Sequence, residues 1–208
     1  MLEPETMITF ILASMLLGLV PGPDNIFVLT QSALHGSKAG IVVVLGLCTG
    51  LIVHTLAVSM GIAAIFQVSV VAFTLLKMLG ALYLLYLAWG AFTAINPEIQ
   101  NRNSVSPKIA KLYGRGLIMN ITNPKVSIFF LAFLPQFIDP NRGSVSIQIY
   151  ELGGIFILVT LFVFGSIAVL SGLISRLFKR SSVAQQMMNK VAGIIYLGLS
   201  VKIAIMQI

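Results

Sequence analysis

The chain has 208 residues, of which 58% are hydrophobic and 9% charged, and its mean hydropathy is +1.01. An ordinary soluble domain is about one-quarter charged, so this composition excludes a water-soluble globule and a disordered chain alike. The formal net charge of +7 comes from basic residues lying between apolar runs, which points to loops beside a bilayer and excludes a nucleic-acid partner.

A membrane span needs about 20 apolar residues, so the length accommodates six spans with short loops and no separate soluble domain. The first run covers Thr6 to Leu34 and is interrupted by Pro21-Gly22-Pro23-Asp24-Asn25. Glu3 and Glu5 precede it and no basic residue occurs before Lys38. It therefore lacks the positive start of a cleavable signal and is expected to remain as a span. After His35-Gly36-Ser37-Lys38, the stretch from Ala39 to Ile95 is almost wholly apolar. As one helix it would reach roughly 85 Å, against a hydrocarbon core of about 30 Å, so it must fold back. The polar break Phe66-Gln67-Val68-Ser69 places the turn. The second span then holds His54, and the third starts near Val70 and holds Lys77.

From Asn96 to Tyr113 the composition changes. Pro97, Glu98, Arg102, Pro107, Lys108 and Lys111 mark a polar linker between halves. A fourth run extends from Gly114 to Ile138, and the cluster Asp139-Pro140-Asn141-Arg142-Gly143 predicts a turn. A fifth run covers Ile147 to Leu177. Lys179 and Arg180 follow, and a sixth run covers Gln186 to Met206. With the N-terminus outside, nine basic loop residues face the cytoplasm against three (Lys77, Arg142 and Lys202) outside. This asymmetry predicts both termini on the outer side.

Lys77, Gly80, Tyr83 and Leu84 recur at the same spacing as Lys190, Gly193, Tyr196 and Leu197, and Pro23-Asp24 matches Pro124-Lys125. Two tandem units of three spans each must lie upside down relative to one another. The predicted fold is therefore an all-α polytopic membrane protein of six transmembrane helices, built as two inverted three-helix repeats in one domain, 1–208. Residues 1–95 form the first repeat, 96–113 a cytoplasmic linker and 114–208 the second repeat. Inverted repeats of this kind are typical of secondary transporters, whose substrate sites lie near the midplane at the repeat interface.

The polar residues deep within the spans are few. Asp24 and Asn25 lie in the first; Asn120, Thr122, Asn123 and Lys125 lie in the fourth. A charge at the bilayer centre costs at least about 2.5–3.5 kcal/mol, so Asp24 and Lys125 are expected to approach one another, directly or through water or substrate. Pro21, Pro23 and Pro124 remove backbone donors, and Gly22 permits a bend. Two broken helices at mid-depth would offer free backbone groups and helix-end partial charges to a zwitterion. The predicted substrate site is thus Pro21, Gly22, Pro23, Asp24, Asn25, Asn120, Asn123, Pro124 and Lys125. The competing reading is a proline kink whose ion pair only fixes helix register, in a scaffold or assembly factor that transports nothing. Lys125 so close to Asp24 works against that carboxylate carrying a coupling proton.

Cys48 is the single cysteine, so no intrachain disulfide or thiol relay is available, and a buried small residue is expected. His54 has no acid or thiol neighbour in sequence, so no metal site is expected. Tyr83, Tyr86 and Trp89 read as an interfacial belt. GxSxG, HExxH and Walker patterns are absent, so neither an enzyme nor a bound cofactor is expected. Gly-rich spans leave room for a homodimer.

Leu19-Val20-Pro21-Gly22-Pro23-Asp24-Asn25, Asn120-Ile121-Thr122-Asn123-Pro124-Lys125, Phe129-Phe130 and Leu134-Pro135-Gln136-Phe137 resemble the LysE/RhtB family of bacterial amino-acid exporters. Gly46 to His54 and Leu79 to Leu87 are similar to its homoserine/threonine-type members. The resemblance covers nearly the whole chain. It implies a six-helix exporter of the inner membrane, driven by an ion gradient, with the proton foremost. Its implied cargo is a neutral amino acid or derivative: homoserine, its lactone, threonine or leucine.

Overall fold

A computed structural model describes residues 2–68, 70–93 and 108–171, and ten separate residues between 187 and 204. Ser69 of the predicted turn, the linker from 96 to 107, residues 172–177 of the fifth run, Lys179, Arg180 and most of the sixth run lie outside the described residues. So do Tyr196 and the side chains of Lys77, Tyr83 and Leu84, all members of the repeated signature. Among the described residues every regular element is helical, with no strand.

Helix α1 (Pro4–Leu19) opens with Pro4 and Glu5 in its first turn. A missing N–H costs nothing there, and an acid suits the positive helix end. The chain bends at Val20-Pro21-Gly22 and resumes as α2 (Pro23–His35). Gly36 ends α2 at φ 86°, in the left-handed region that favours glycine. Helix α3 (Ser37–Val68) follows at once, and α4 (Val70–Thr93) begins beyond Ser69.

Helix α5 (Ile109–Ile121) starts inside the stretch read as linker, because Leu112 and Gly116 pack on α3 and carry the helix back past the apolar run. The fourth run is not one α-helix. After Thr122 it restarts as α6 (Pro124–Ile128), widens into a π turn over Phe129–Phe133 and tightens into a 3-10 turn over Leu134–Phe137. A short 3-10 turn, Pro140–Arg142, and Gly143 at φ 119° lead into α7 (Val145–Val169). Leu170 donates its N–H to the Ser166 carbonyl at the end of α7.

Two stretches of 25 residues, Ser37–Gly61 and Val145–Val169, each hold an 18-residue window of mean hydropathy 2.5 and are long and apolar enough to cross a membrane. Two bent pairs also qualify as spans: α1 with α2, at 62°, and α5 with the segment Pro124–Phe137, at 48°. The described residues therefore carry two to four candidate spans.

Helix α3 is central, with α2, α5 and α7 packed against it. Its approach to α5 is close because Gly46 and Gly116 face one another's helix: a Cβ on either would strike the backbone carbonyl of Tyr113 or Val43. A cluster of aromatic rings joins the start of α1 to the π turn and α7. Phe10 meets Phe137 edge-on at 5.1 Å, and Phe129 lies 4.8 Å from both Phe133 and Phe156. Outward positions such as Leu12, Ile52, Leu158 and Phe162 are exposed. This is the surface expected of helices in lipid, where the hydrophobic effect does not demand that apolar side chains turn inward. Cys48 is buried, while Tyr86 and Trp89 face outward.

Candidate functional site

Pro21 has no N–H, so the Leu17 carbonyl four residues earlier loses its helical donor. The Lys125 Nζ takes that place, donating to the Leu17 carbonyl at 3.4 Å. The bend also strips the Gly18 carbonyl, which accepts from Asn25 Nδ2 at 2.7 Å. Gly22 makes the lysine's approach feasible, since a Cβ there would sit 3.3 Å from Lys125 Nζ.

Helix α2 then starts with Pro23 and places Asp24 in its first turn, 3% exposed. Asp24 Oδ2 accepts from Asn123 Nδ2 at 2.7 Å. Asp24 Oδ1 is buried without a hydrogen-bond partner.

The second break repeats the pattern with a different cap. Asn123 precedes Pro124, and its Oδ1 accepts from the Lys125 backbone N–H at 3.0 Å. The amide therefore caps α6 with one end and holds Asp24 with the other. Pro124 frees the Asn120 carbonyl, which accepts from the Asn123 N–H at 3.1 Å and meets His54 Nε2 at 3.2 Å. Asn120 itself is 3% exposed, and its Oδ1 has no partner. Gly50 makes room for it, because a Cβ there would lie 2.6 Å from that oxygen.

Asp24, Asn120 and Lys125 line a hollow of about 20 Å³ together with Leu17, Gly18, Leu47, Leu51, Val126, Phe156, Thr160 and Phe164. A single water needs about 10–15 Å³, so the hollow has the size of a water and is closed to anything as large as an amino acid. Lys125 is 6% exposed. It and Asp24 share the hollow but form no direct ion pair. The Asn123 amide links the Asp24 carboxylate to the Lys125 backbone N–H.

Of the nine predicted residues, Asp24, Asn120 and Lys125 face the hollow. Pro21, Gly22, Pro23 and Pro124 shape the backbone around it, and Asn25 and Asn123 hold the broken ends. The sequence reading missed His54, Gly50 and Thr160. Gly50 and His54 are four residues apart and so share one helix face, and Thr160 is the one polar residue within Ile155–Phe164. Both signals were present. Among the described residues no cluster of His, Cys, Asp and Glu could hold a metal.

Bent apolar helices that carry buried charges to a common hollow define a multi-pass membrane protein built around a polar interior. Residues 15–207 match the profile of the LysE type translocator, and the chain belongs to that family. It is therefore a transporter and not an enzyme. It is 28% identical over 202 residues to a leucine efflux protein of Klebsiella pneumoniae subsp. pneumoniae, covering 96% of this chain and 95% of that one. It is also 29% identical over 207 residues to the uncharacterized membrane protein YrhP of Bacillus subtilis, covering 95% and 98%. No solved structure matches it.

Proposed function

We propose that this chain is a secondary active exporter that moves a neutral amino acid or derivative across the inner membrane by alternating access, driven by the proton motive force. The observation that carries the reading is the convergence on one buried hollow of a cation, Lys125, and two unpartnered acceptors, Asp24 Oδ1 and Asn120 Oδ1. A buried polar atom without a partner is costly, and a transported zwitterion would satisfy these groups. Its ammonium would go to Asp24 and Asn120, its carboxylate to Lys125, and an uncharged side chain to Leu47, Leu51, Phe156 and Phe164. The family membership and the similarity to a leucine efflux protein support the same cargo class.

The architecture proposed with it is six spans in two inverted repeats, 1–95 and 114–208, joined by a cytoplasmic linker, with both termini outside. Supporting it, both breaks start a helix with proline followed by a charged residue, Pro23-Asp24 and Pro124-Lys125. Rocking one unit against the other would widen the hollow toward each side in turn.

The test is efflux from preloaded proteoliposomes with a panel of labelled neutral amino acids, with and without a proton gradient. At least one should leave faster with the gradient. Asp24→Asn and Lys125→Ala should each cut that flux at least ~100-fold at unchanged membrane level, because the first removes the charge proposed to meet the cargo's ammonium and the second the charge proposed to meet its carboxylate. Partial rescue by combining Asp24→Lys with Lys125→Asp would instead favour a register pair. If no cargo moves at all, the scaffold reading takes over.

A further inference from the structure

His54 lies on α3, outside both bent segments and outside the hollow's lining. Its Nε2 meets the Asn120 carbonyl at 3.2 Å. A carbonyl only accepts, so Nε2 carries the proton. The ring is set by Phe130 of the π turn, with centroids 5.5 Å apart and planes 31° from parallel. The acceptor is the same carbonyl that Pro124 leaves without its helical donor.

We propose that His54 is a positioning residue of the transport site: it supplies from α3 a second donor to the carbonyl that Pro124 frees, and so holds Asn120 in the hollow's wall. The inference rests on the exporter reading and adds to it a residue that acts without touching cargo. Asn120 is gripped on two sides. His54 and the Asn123 N–H hold its carbonyl, and Gly50 fixes the space its amide occupies. If the His54 donor is lost, the carbonyl keeps the Asn123 N–H alone, the end of α5 is held from one side only, and Asn120 shifts in the hollow's wall.

The two proline-freed carbonyls make the role clearer. Each is served by a basic side chain from another element: Leu17 by Lys125 and Asn120 by His54. Lys125 lines the hollow, and its bond is long at 3.4 Å, so cargo can draw it away. His54 does not line the hollow and stays. Neutral and protonated imidazole both carry the Nε2 proton, so the role does not require His54 to titrate.

Glutamine can place its Nε2 where histidine has its own, whereas asparagine reaches only as far as Nδ1. The experiment is leucine efflux kinetics in proteoliposomes for wild type, His54→Gln, His54→Asn and His54→Leu at matched protein levels, across a range of pH. If wild type does not move leucine, the other labelled neutral amino acids serve as cargo. His54→Gln should keep its apparent KM within about twofold and retain the wild-type pH profile. His54→Asn and His54→Leu should raise apparent KM about tenfold, the effect of one buried hydrogen bond lost, with the maximal rate nearly kept. Wild-type behaviour in His54→Asn and His54→Leu overturns the proposal. So does a His54→Gln variant that reaches the membrane and is inactive, or one that is active with a flattened pH profile, which would make His54 a proton carrier. A wild type that moves none of the cargoes fails the exporter reading and takes this inference with it.

Discussion

At the first break, the carbonyls of Leu17 and Gly18 are both held by side chains, one of them a lysine from the other bent segment at 3.4 Å. At the second, the Asn120 carbonyl has two donors, and Asn123 caps the restarting helix through its own side chain. Both breaks arise from proline, yet the carbonyl freed at the first has one long bond from across the hollow and the carbonyl freed at the second has two donors. The bends differ in the same sense, 62° against 48°. The first break is thus the better candidate for the moving part and the second for the wall it moves against.

The largest effect should come from the residue that serves both sides. Asn123→Ala removes the α6 cap and the donor to Asp24 Oδ2, leaving the carboxylate without either hydrogen bond. Two such losses sum to about 2–5 kcal/mol. Efflux should fall at least ~100-fold, or the protein should be lost from the membrane on immunoblot; near-normal flux would break the comparison at its centre. Pro21→Ala should act on the first break alone. A restored amide would compete with Lys125 for the Leu17 carbonyl, and efflux should fall about tenfold while the protein accumulates normally. An unchanged rate would mean that Lys125 is not held there in the working cycle.

The smallest effect should come from the turn that ties the far ends together. Arg142 pairs with Glu3 at 2.6 Å and with Asp139 at 2.9 Å, joining the start of α1 to the end of the second bent segment. These groups are half exposed, and exposed pairs contribute little. Arg142→Ala should change efflux by less than about twofold. The Asn141 backbone N–H, aided by Arg142, holds the Asp139 carboxyl below the usual carboxylate range. A lowered acid contributes its stabilisation above the ordinary carboxylate pKa and loses it as pH falls through the lowered value. Efflux should therefore show no titration from this turn above about pH 4.

Much of the site was legible because its residues violate local rules. Proline within an apolar run, and single charges at membrane depth, are visible without any contact map, and Pro21, Pro124, Asp24 and Lys125 were found that way. His54 has no acid or thiol neighbour in sequence, and its partner is a backbone carbonyl, which leaves no mark there. The π turn over Phe129–Phe133 had no signal either: its aromatic residues suit an α-helix equally well, and packing against Phe10 and Phe156 accompanies the wider turn. The start of α5 is hidden in sequence because Lys108 and Lys111 look like loop, although Lys108 precedes the helix directly and Lys111 lies in its first turn.

The sequence by itself determined where the helices break and which carbonyls are stripped, since a missing proline N–H is a covalent fact acting four residues away. The tertiary structure alone decided what replaces each lost donor. Lys125 reaches a carbonyl 108 positions away, His54 one 66 away, and Asn123 joins a carboxylate 99 away. Such pairings depend on how helices cross, and the crossing is set by small residues such as Gly46, Gly50 and Gly116, whose effect exists only when another helix lies against them.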